Sequence, residues 1–270
     1  MEKLRSQGIP LGEYVDAKIF YGIKTGLNEA FVIDQETRNN LIAEDPNSAR
    51  VIKSFLAGRD IKSFCQPQTD KFLILFKSGD TYSLFGKVEE GIGFTKMSEK
   101  YPAVMQYLEQ FKNKARKRYD QGNYWWELRS CDYYSEFEKN KIIYPNICKQ
   151  PEFTFDDSGQ YTNQKCFIIP GGSNYLLGIL NSKITFFLFK HILPMLRGGF
   201  YEPGYKYLKD FPIVDSNSIE IVEKVQQILL QKKENPAADT TSLEAEIDQL
   251  VYELYGLTEE EIGIVEGSVE

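Results

Sequence analysis

The aromatic residues of this 270-residue chain stop almost completely at Pro212, and this break constrains the fold more than any other feature. Of the 37 Phe, Tyr and Trp residues, only Tyr252 and Tyr255 follow it. Aromatic side chains suit the half-buried surface of a sheet, so residues 1–212 are expected to contain most of the strands. After the break, apolar residues recur at helical spacing. We therefore predict a body at residues 1–212 and a helical extension at residues 213–270.

Charge divides at the same place. The formal net charge is −7, but residues 213–270 hold 14 acidic and 3 basic residues, a balance of −11. The other 25 acidic and 29 basic residues give residues 1–212 a balance of +4. Repulsion from phosphate therefore falls mainly on the extension. A mildly basic body is compatible with a nucleic-acid partner, but the charge balance alone does not indicate one.

The sequence also indicates where in the cell the protein is found. No apolar run approaches the roughly 18 residues that span a bilayer, and the N-terminus has no signal-peptide core. We expect a cytoplasmic protein without a membrane partner. Four scattered cysteines and the single His191 make a zinc cluster improbable, so reduced thiols packed as small apolar groups are the better explanation.

Helical periodicity in the extension predicts an acidic helical hairpin followed by a short third helix. Ile219, Val222 and Val225 begin the apolar stripe of the first helix. Capping-box patterns, Thr241-x-x-Glu244 and Thr258-x-x-Glu261, open the second and third helices. We expect this acidic extension to pack on the body or on a partner.

The body is predicted to be α+β, with a twisted, mostly antiparallel sheet and peripheral helices. Strands are expected at 71–77, 141–144, 153–155 and 165–169. Helices are expected from Asp45-Pro46 to Gly58, from Pro102 to about Arg118, and as a pair over 173–193 interrupted near Asn181-Ser182; residues 78–100 and 198–204 look like surface loops.

A glycine-flanked loop between residues 21 and 34 is a candidate contact. β-prone runs at 17–21 and 30–33 predict a hairpin, with Lys24, Thr25 and Asn28 at its tip. Lysine suits phosphate or guanine acceptors, and asparagine suits adenine. An ordinary surface hairpin is the structural alternative.

Other cations could contact phosphate or be structural. Arg59 and Lys62 follow a predicted helix end, and Lys114 and Arg118 lie in a basic helix terminus that could equally be a solvated face. Arg59 and Arg129 each have a nearby acid, so an internal ion pair is the alternative for both. Lys206 completes the set of candidate DNA contacts.

Catalytic motifs are missing. The chain has neither the glycine-rich loop that binds S-adenosylmethionine nor the Asn/Asp-Pro-Pro-aromatic motif of adenine methyltransferases. Asp16-Ala17-Lys18 has only the short half of a nuclease pattern and is better interpreted as the polar face of an edge strand. His191 is expected to be packed or to end a helix. No catalytic residue or metal ligand is predicted.

Several short motifs together resemble one family. They are Leu11-Gly12-Glu13-Tyr14-Val15-Asp16, Phe55-Leu56-Ala57-Gly58-Arg59-Asp60-Ile61, Trp125-Trp126-Glu127-Leu128-Arg129, Lys141-Ile142-Ile143-Tyr144-Pro145, Leu180-Asn181-Ser182-Lys183, Phe211-Pro212-Ile213 and residues 247–258. In this order they resemble the TaqI-like C-terminal specificity domain. That domain is the target-recognition half of type IIG restriction–modification enzymes and related adenine-specific DNA methyltransferases.

The resemblance implies a DNA target-recognition domain at residues 1–212 that binds double-stranded DNA opposite a methyltransferase domain. It also implies that the chain is the C-terminal fragment of a site-specific adenine methyltransferase or type IIG restriction enzyme. S-adenosylmethionine, with or without magnesium, is expected only in catalytic domains outside this chain. The alternative is a non-catalytic protein-interaction module that docks through the acidic helical hairpin.

Overall fold

The computed structural model describes residues 1–216 and 218–269, which form two four-stranded sheets, two strand pairs and surrounding helices. The strands are β1 Ile9–Pro10, β2 Phe20–Tyr21, β3 Val32–Asp34, β4 Ile52–Leu56, β5 Lys71–Ile74, β6 Lys141–Pro145, β7 Thr154–Asp156, β8 Tyr161–Thr162, β9 Cys166–Pro170, β10 Met195–Leu196, β11 Phe200–Tyr201 and β12 Pro212–Ile213.

The helices are distributed along the whole chain, which confirms the α+β class. They are α1 Glu2–Gln7, α2 Leu11–Tyr14, α3 Asn28–Phe31, α4 Gln35–Glu44, α5 Ser48–Val51, α6 Asp80–Phe85, α7 Glu90–Lys100, α8 Pro102–Glu109, α9 Lys112–Ala115, α10 Asn174–Asn181, α11 Lys183–Ile192, α12 Tyr205–Leu208, α13 Ile219–Glu234, α14 Thr241–Leu254 and α15 Glu259–Val269. Short 3-10 turns cover Gly58–Asp60 and Tyr134–Glu138.

The antiparallel sheet β2-β9-β6-β7 lies between two apolar cores. In the β6–β9 ladder, Ile142 pairs with Ile169 and Tyr144 with Phe167, and these four side chains join the first core. Ile143 and its partner Ile168, which point the other way, join the second. Because side chains alternate between the two faces along a strand, a strand of a sheet that is buried on both faces has an unbroken run of apolar residues in its sequence. This is why the strands at 141–144 and 165–169 were predictable.

The second sheet has the order β3-β5-β4-β8, and only its β4–β8 pair is parallel. It corrects the helix predicted up to Gly58. Helix α5 ends at Val51, and Ile52–Leu56 is a strand between β5 and β8. The run Val51, Ile52, Phe55 and Leu56 satisfies a helical spacing, but two neighbouring strands offer pairing on both edges, and tertiary context decides.

The hairpin predicted over residues 17–33 is also wrong. Strand β2 pairs with β9, whereas β3 pairs with β5, so the two flanking runs belong to different sheets. Between them, residues 28–31 form the single turn α3. Asp16 and Ala17 have positive φ values, and strand β2 begins only at Phe20, so the prediction that Asp16 and Lys18 lie on the polar face of an edge strand is wrong.

Two predicted loops contain regular structure. Residues 78–100 are not a surface excursion, because they carry α6 and α7, with Met97 of α7 buried in the second core. Residues 195–201 form the β10–β11 pair.

The helix predicted from Pro102 is present as α8 and α9, and the predicted pair over 173–193 is α10 and α11, separated at Ser182. His191 lies in the last turn of α11, against Phe187, as expected.

Helices α13, α14 and α15 share the first core with α10 and α11. Helix α13 approaches α10 so closely that a Cβ on Gly178 would lie 2.8 Å from Ile221. The Asp248 carboxylate accepts a hydrogen bond from the Lys183 backbone N–H at 2.8 Å, which caps α11 from α14. Burial raises the pKa of this carboxyl to about 6. The boundary between residues 212 and 213 stays a prediction.

The two predicted capping boxes have different outcomes. At α15, the Thr258 hydroxyl accepts from the Glu261 N–H at 3.3 Å and Glu261 accepts from the Thr258 N–H at 2.8 Å, as predicted. At α14, the N-cap is Thr240, and its hydroxyl donates to the Glu244 side chain instead of accepting from a backbone N–H, so the predicted Thr241 capping box is wrong. In the described part of the chain, no helix is long and apolar enough to cross a membrane.

Candidate functional site

An open polar groove is formed by loops that lie far apart in the sequence. It consists of two adjoining cavities of about 740 and 410 Å³, which share Asn163 and Lys165. The larger is lined by Ala57, Gly58, Arg59, Lys62, Asn146, Ile147, Cys148, Lys149, Gln150, Glu152, Asn163, Lys165 and Phe200, and the smaller by residues 23–28 and 163–165. We call these lining residues together the polar groove.

The turn at residues 162–165, between β8 and β9, holds the loops of the groove together. The Ile23 N–H donates to the Thr162 carbonyl at 2.6 Å, and the Asn163 N–H donates to Leu56 at 2.8 Å. From the third side, the Asn146 N–H donates to Lys165 at 2.7 Å. At Gly22 the chain passes so close that a Cβ would lie 1.9 Å from the Asn163 carbonyl oxygen, so only glycine fits.

Thr25 stabilises the loop and is not available to contact a ligand. Its side chain is only 2% exposed, and its hydroxyl donates to Asn28 Oδ1 at 2.6 Å. Thr25 Oγ1 also accepts from the Leu27 N–H at 3.2 Å, and Gly26 completes the turn with a φ of +68°. This burial corrects the prediction that Thr25 contacts DNA. Asn28 is exposed, and no hydrogen bond from its amide nitrogen is present within the described residues, so that donor is available to a ligand.

Arg118 is also structural, which corrects its prediction as a DNA contact. It is 6% exposed, and its guanidinium donates to the carbonyls of Ala115, Thr25, Trp125 and Glu127 at 2.7–3.2 Å. It also lies 4.2 Å from the centre of the Phe31 ring. Burial lowers the pKa of this guanidinium to about 10. The side chain therefore ties the loop at 23–28 to the segment around Trp125.

Lys24 and Arg129 meet at one carboxylate. Asp120 Oδ2 lies 3.0 Å from Lys24 Nζ, and Asp120 Oδ1 lies 3.5 Å from Arg129 Nη1. Burial acts to raise the pKa of Asp120, but the hydrogen bonds and charges of Lys24 and Arg129 outweigh it and lower that pKa. The acid next to Arg129 in sequence, Glu127, is buried and accepts backbone N–H groups instead. Both cations remain half-exposed, so each could still reach a phosphate.

Cations line the larger cavity. The Arg59 side chain is 80% exposed, and its Nε lies 3.7 Å from Asp60 Oδ1, too far for a strong ion pair. Lys62 lies 2.7 Å from Glu152. Within the described residues, neither Lys149 nor Lys165 has a carboxylate within ion-pair distance. The Lys149 ammonium lies 5.2 Å from the centre of the Phe200 ring. The groove is therefore predominantly positive.

Lys114 and Lys206 lie outside the polar groove. Lys114 Nζ contacts both carboxylate oxygens of Glu29, at 2.9 and 3.1 Å, and Arg116 pairs with Glu90. These pairs favour the solvated-face alternative for the basic terminus of α9. Lys206 is exposed on α12, with its ammonium 5.1 Å from the centre of the Tyr207 ring. Their DNA contacts stay predictions.

Sequence reasoning missed Lys149, Gln164 and Lys165, which the structure places beside Lys24, Asn28, Arg59 and Lys62. The available signal was the run Asn163-Gln164-Lys165 between two apolar strands. Amide and ammonium side chains are among those that read base edges in the major groove. What the local pattern lacked was any sign that this turn meets the loop at 23–28.

The family profile of the TaqI-like C-terminal specificity domain matches residues 53–213. The fold is similar to the type IIL restriction–modification enzyme MmeI, solved in complex with DNA, with a TM-score of 0.61 and 14% identity over 94% of this chain and 34% of that chain. The type IIG restriction endonuclease BpuSI matches with a TM-score of 0.46 and 13% identity, over 93% of this chain and 31% of that one. The chain thus spans about a third of either enzyme's length.

Proposed function

The chain belongs to the TaqI-like C-terminal specificity domain family, and from this premise we propose that it reads a double-stranded DNA sequence through the polar groove. The convergence at the turn of residues 162–165 carries this proposal. It brings cations from four chain segments beside the exposed amides of Asn28 and Gln164. The structure of the MmeI enzyme with DNA supports the choice of ligand.

The two kinds of side chain would have separate tasks. Arg59, Lys62, Lys149 and Lys165 would contact phosphates, which fixes register without reading sequence. Asn28 and Gln164 would reach base edges, where an amide pairs with adenine through two hydrogen bonds. A good pair of this kind discriminates against the wrong base by about 1–3 kcal/mol.

We propose further that the chain serves a larger site-specific adenine methyltransferase or restriction–modification enzyme. The match to about a third of the MmeI restriction–modification enzyme supports this role. The methyltransferase domain of that enzyme would bind S-adenosylmethionine, and the polar groove would hold the target opposite it. The chain described above would then contribute recognition and no chemistry of its own.

The structure gives less support to the alternative of a protein-interaction module. The apolar stripes of α13 and α14, including Ile221, Val225, Ile247 and Val251, are buried against α10 and α11. Most of the hairpin's apolar stripes are therefore covered, and among the described residues the large apolar side chains exposed on α13 to α15 are Ile219, Leu230 and Ile264.

Binding followed by sequencing of the bound DNA tests the proposed function. The chain is mixed with a random duplex library at low salt, alongside the Gln164→Ala and Asn28→Ala variants and, as a matched control, Gln226→Ala on the exposed side of α13. We expect each groove variant to relax the preference at one base position and the control to select the wild-type site. An unchanged preference in both groove variants, or no preference in the wild type, would contradict the proposal.

A further inference from the structure

Tyr119 is the most exposed aromatic side chain among the described residues. It is 98% exposed, whereas Tyr21, the next, is 52% exposed and packs against the Phe167 ring. A single exposed aromatic residue is ordinary on a protein surface. What distinguishes Tyr119 is the backbone that carries it.

Both neighbours of Tyr119 are anchored. Arg118 donates four hydrogen bonds to buried carbonyls, and Asp120, 8% exposed, is held by Lys24 and Arg129. The backbone of residues 118–120 is therefore fixed on both sides, while the ring between them has no neighbour to cover it. Because this backbone is already fixed, little backbone conformational entropy would be lost when the ring binds a ligand.

Tyr119 also adjoins the polar groove in the chain, because its neighbour Asp120 contacts the loop that lines the smaller cavity. A Cβ on Gly26, in the loop that lines the smaller cavity, would lie 3.0 Å from the Asp120 Cβ. Lys24, which lines the same cavity, pairs with that carboxylate. Lys117, two residues before Tyr119, is exposed, and no carboxylate lies within ion-pair distance of it in the described residues. Tyr119 therefore lies in the chain between an exposed lysine and the aspartate that pairs with Lys24.

We propose that Tyr119 stacks its ring on a base of the DNA bound in the polar groove. This proposal rests on the proposed function. An aromatic face stacks on any base, and such contacts are tolerant of sequence, so Tyr119 would add affinity without adding specificity. Apolar side chains reach base faces in duplex DNA by inserting between base steps, and the exposed ring of Tyr119 would do the same.

The test compares Tyr119→Ala and Tyr119→Phe with the wild-type chain, using a fluorescently labelled duplex of the selected sequence. We expect Tyr119→Ala to bind at least about fivefold more weakly and Tyr119→Phe to bind like the wild type. Stacking releases few counterions, so the slope of log affinity against log salt should not change in Tyr119→Ala. Thermal melting should be unchanged, since the side chain is fully exposed.

Two comparison variants make the outcomes separable. Ile264→Ala removes an exposed apolar side chain from α15 and should leave affinity unchanged. The Lys149→Gln/Lys165→Gln variant should bind more weakly if the proposed function is right.

If that variant weakens binding and Tyr119→Ala does not, stacking is overturned and the proposed function stands. A Tyr119→Phe variant as weak as Tyr119→Ala would also overturn stacking. If neither Tyr119→Ala nor the double variant weakens binding, the proposed function itself fails.

Discussion

Individual cations in this chain have opposite roles that depend on burial and on their partners. Arg118 and Lys149 are both basic residues near the polar groove, but Arg118 directs its guanidinium at buried carbonyls. Lys149 faces the groove without a carboxylate partner among the described residues. The first stabilises the loops that shape the site, and the second is available to a phosphate.

Replacing Arg118 with lysine tests its structural role. Lysine keeps the charge but cannot donate in four directions from a planar fork, so buried carbonyls would lose their partners. We expect the free energy of unfolding to fall by about 2–4 kcal/mol, because hydrogen bonds to charged groups are worth about 1.5–3 kcal/mol each. Urea denaturation measures this change.

The matched control is Arg59→Lys, at an arginine whose side chain is largely exposed. Its effect on unfolding should stay within about 0.5 kcal/mol, as for ordinary surface substitutions. An Arg118→Lys variant with the wild-type urea midpoint would show that the buried hydrogen bonds are not important for stability.

Helices and strands were predictable where the sequence pattern fits only one type of secondary structure. The strands at 141–145 and 166–170 have apolar residues on both faces, and α10 and α11 are separated where Ser182 interrupts an apolar run. Strand β4 was not predictable, because the spacing of Val51, Ile52, Phe55 and Leu56 fits either element. Its strand structure depends on β5 and β8, which are distant in sequence.

The candidate site was predictable only in part for the same reason. Lys24, Asn28, Arg59 and Lys62 could be found from local patterns, since each lies in a loop with turn residues. Their proximity to Lys165 depends on hydrogen bonds between segments more than 100 residues apart, such as Ile23 to Thr162. The burial of Arg118 was hidden because its neighbours in sequence are mostly charged and exposed.

The contact between the loop at 22–28 and the turn at 162–165 can be tested at Gly22. A Cβ there would lie 1.9 Å from the Asn163 carbonyl oxygen, a backbone atom that cannot move aside cheaply. We expect Gly22→Ala to lower the free energy of unfolding by about 1–3 kcal/mol, the usual cost of overpacking. DNA affinity of the folded protein should fall as well, because the two loops separate.

Gly204→Ala is the control, since a Cβ at Gly204 meets nothing within 4 Å and its backbone φ is −66°. This variant should match the wild type in urea denaturation and in DNA affinity. Equal behaviour of Gly22→Ala and Gly204→Ala would contradict the close approach on which the polar groove is built.

At the scale of the whole molecule, the groove is lined by residues of the body, and α14 of the acidic extension reaches a neighbouring cavity that shares Gln150 with it. The groove is lined both by Ile23, of the second core, and by Cys148, of the first. Helices α13 to α15, which carry most of the acidic excess, pack against α10 and α11. Because most of the acidic excess lies on these helices, a chain with a net charge of −7 can still line the groove with cations.

The central claim is that DNA phosphates bind in the polar groove, and the salt dependence of affinity tests it most directly. Each lost phosphate contact reduces the slope of log affinity against log salt by about 0.9. The Lys149→Gln/Lys165→Gln variant is compared with Lys87→Gln/Lys233→Gln, which removes the same charge from exposed lysines outside the groove. We predict a slope reduced by about 1.8 in the groove variant and a wild-type slope in the control. Equal slopes in the two variants would contradict the claim.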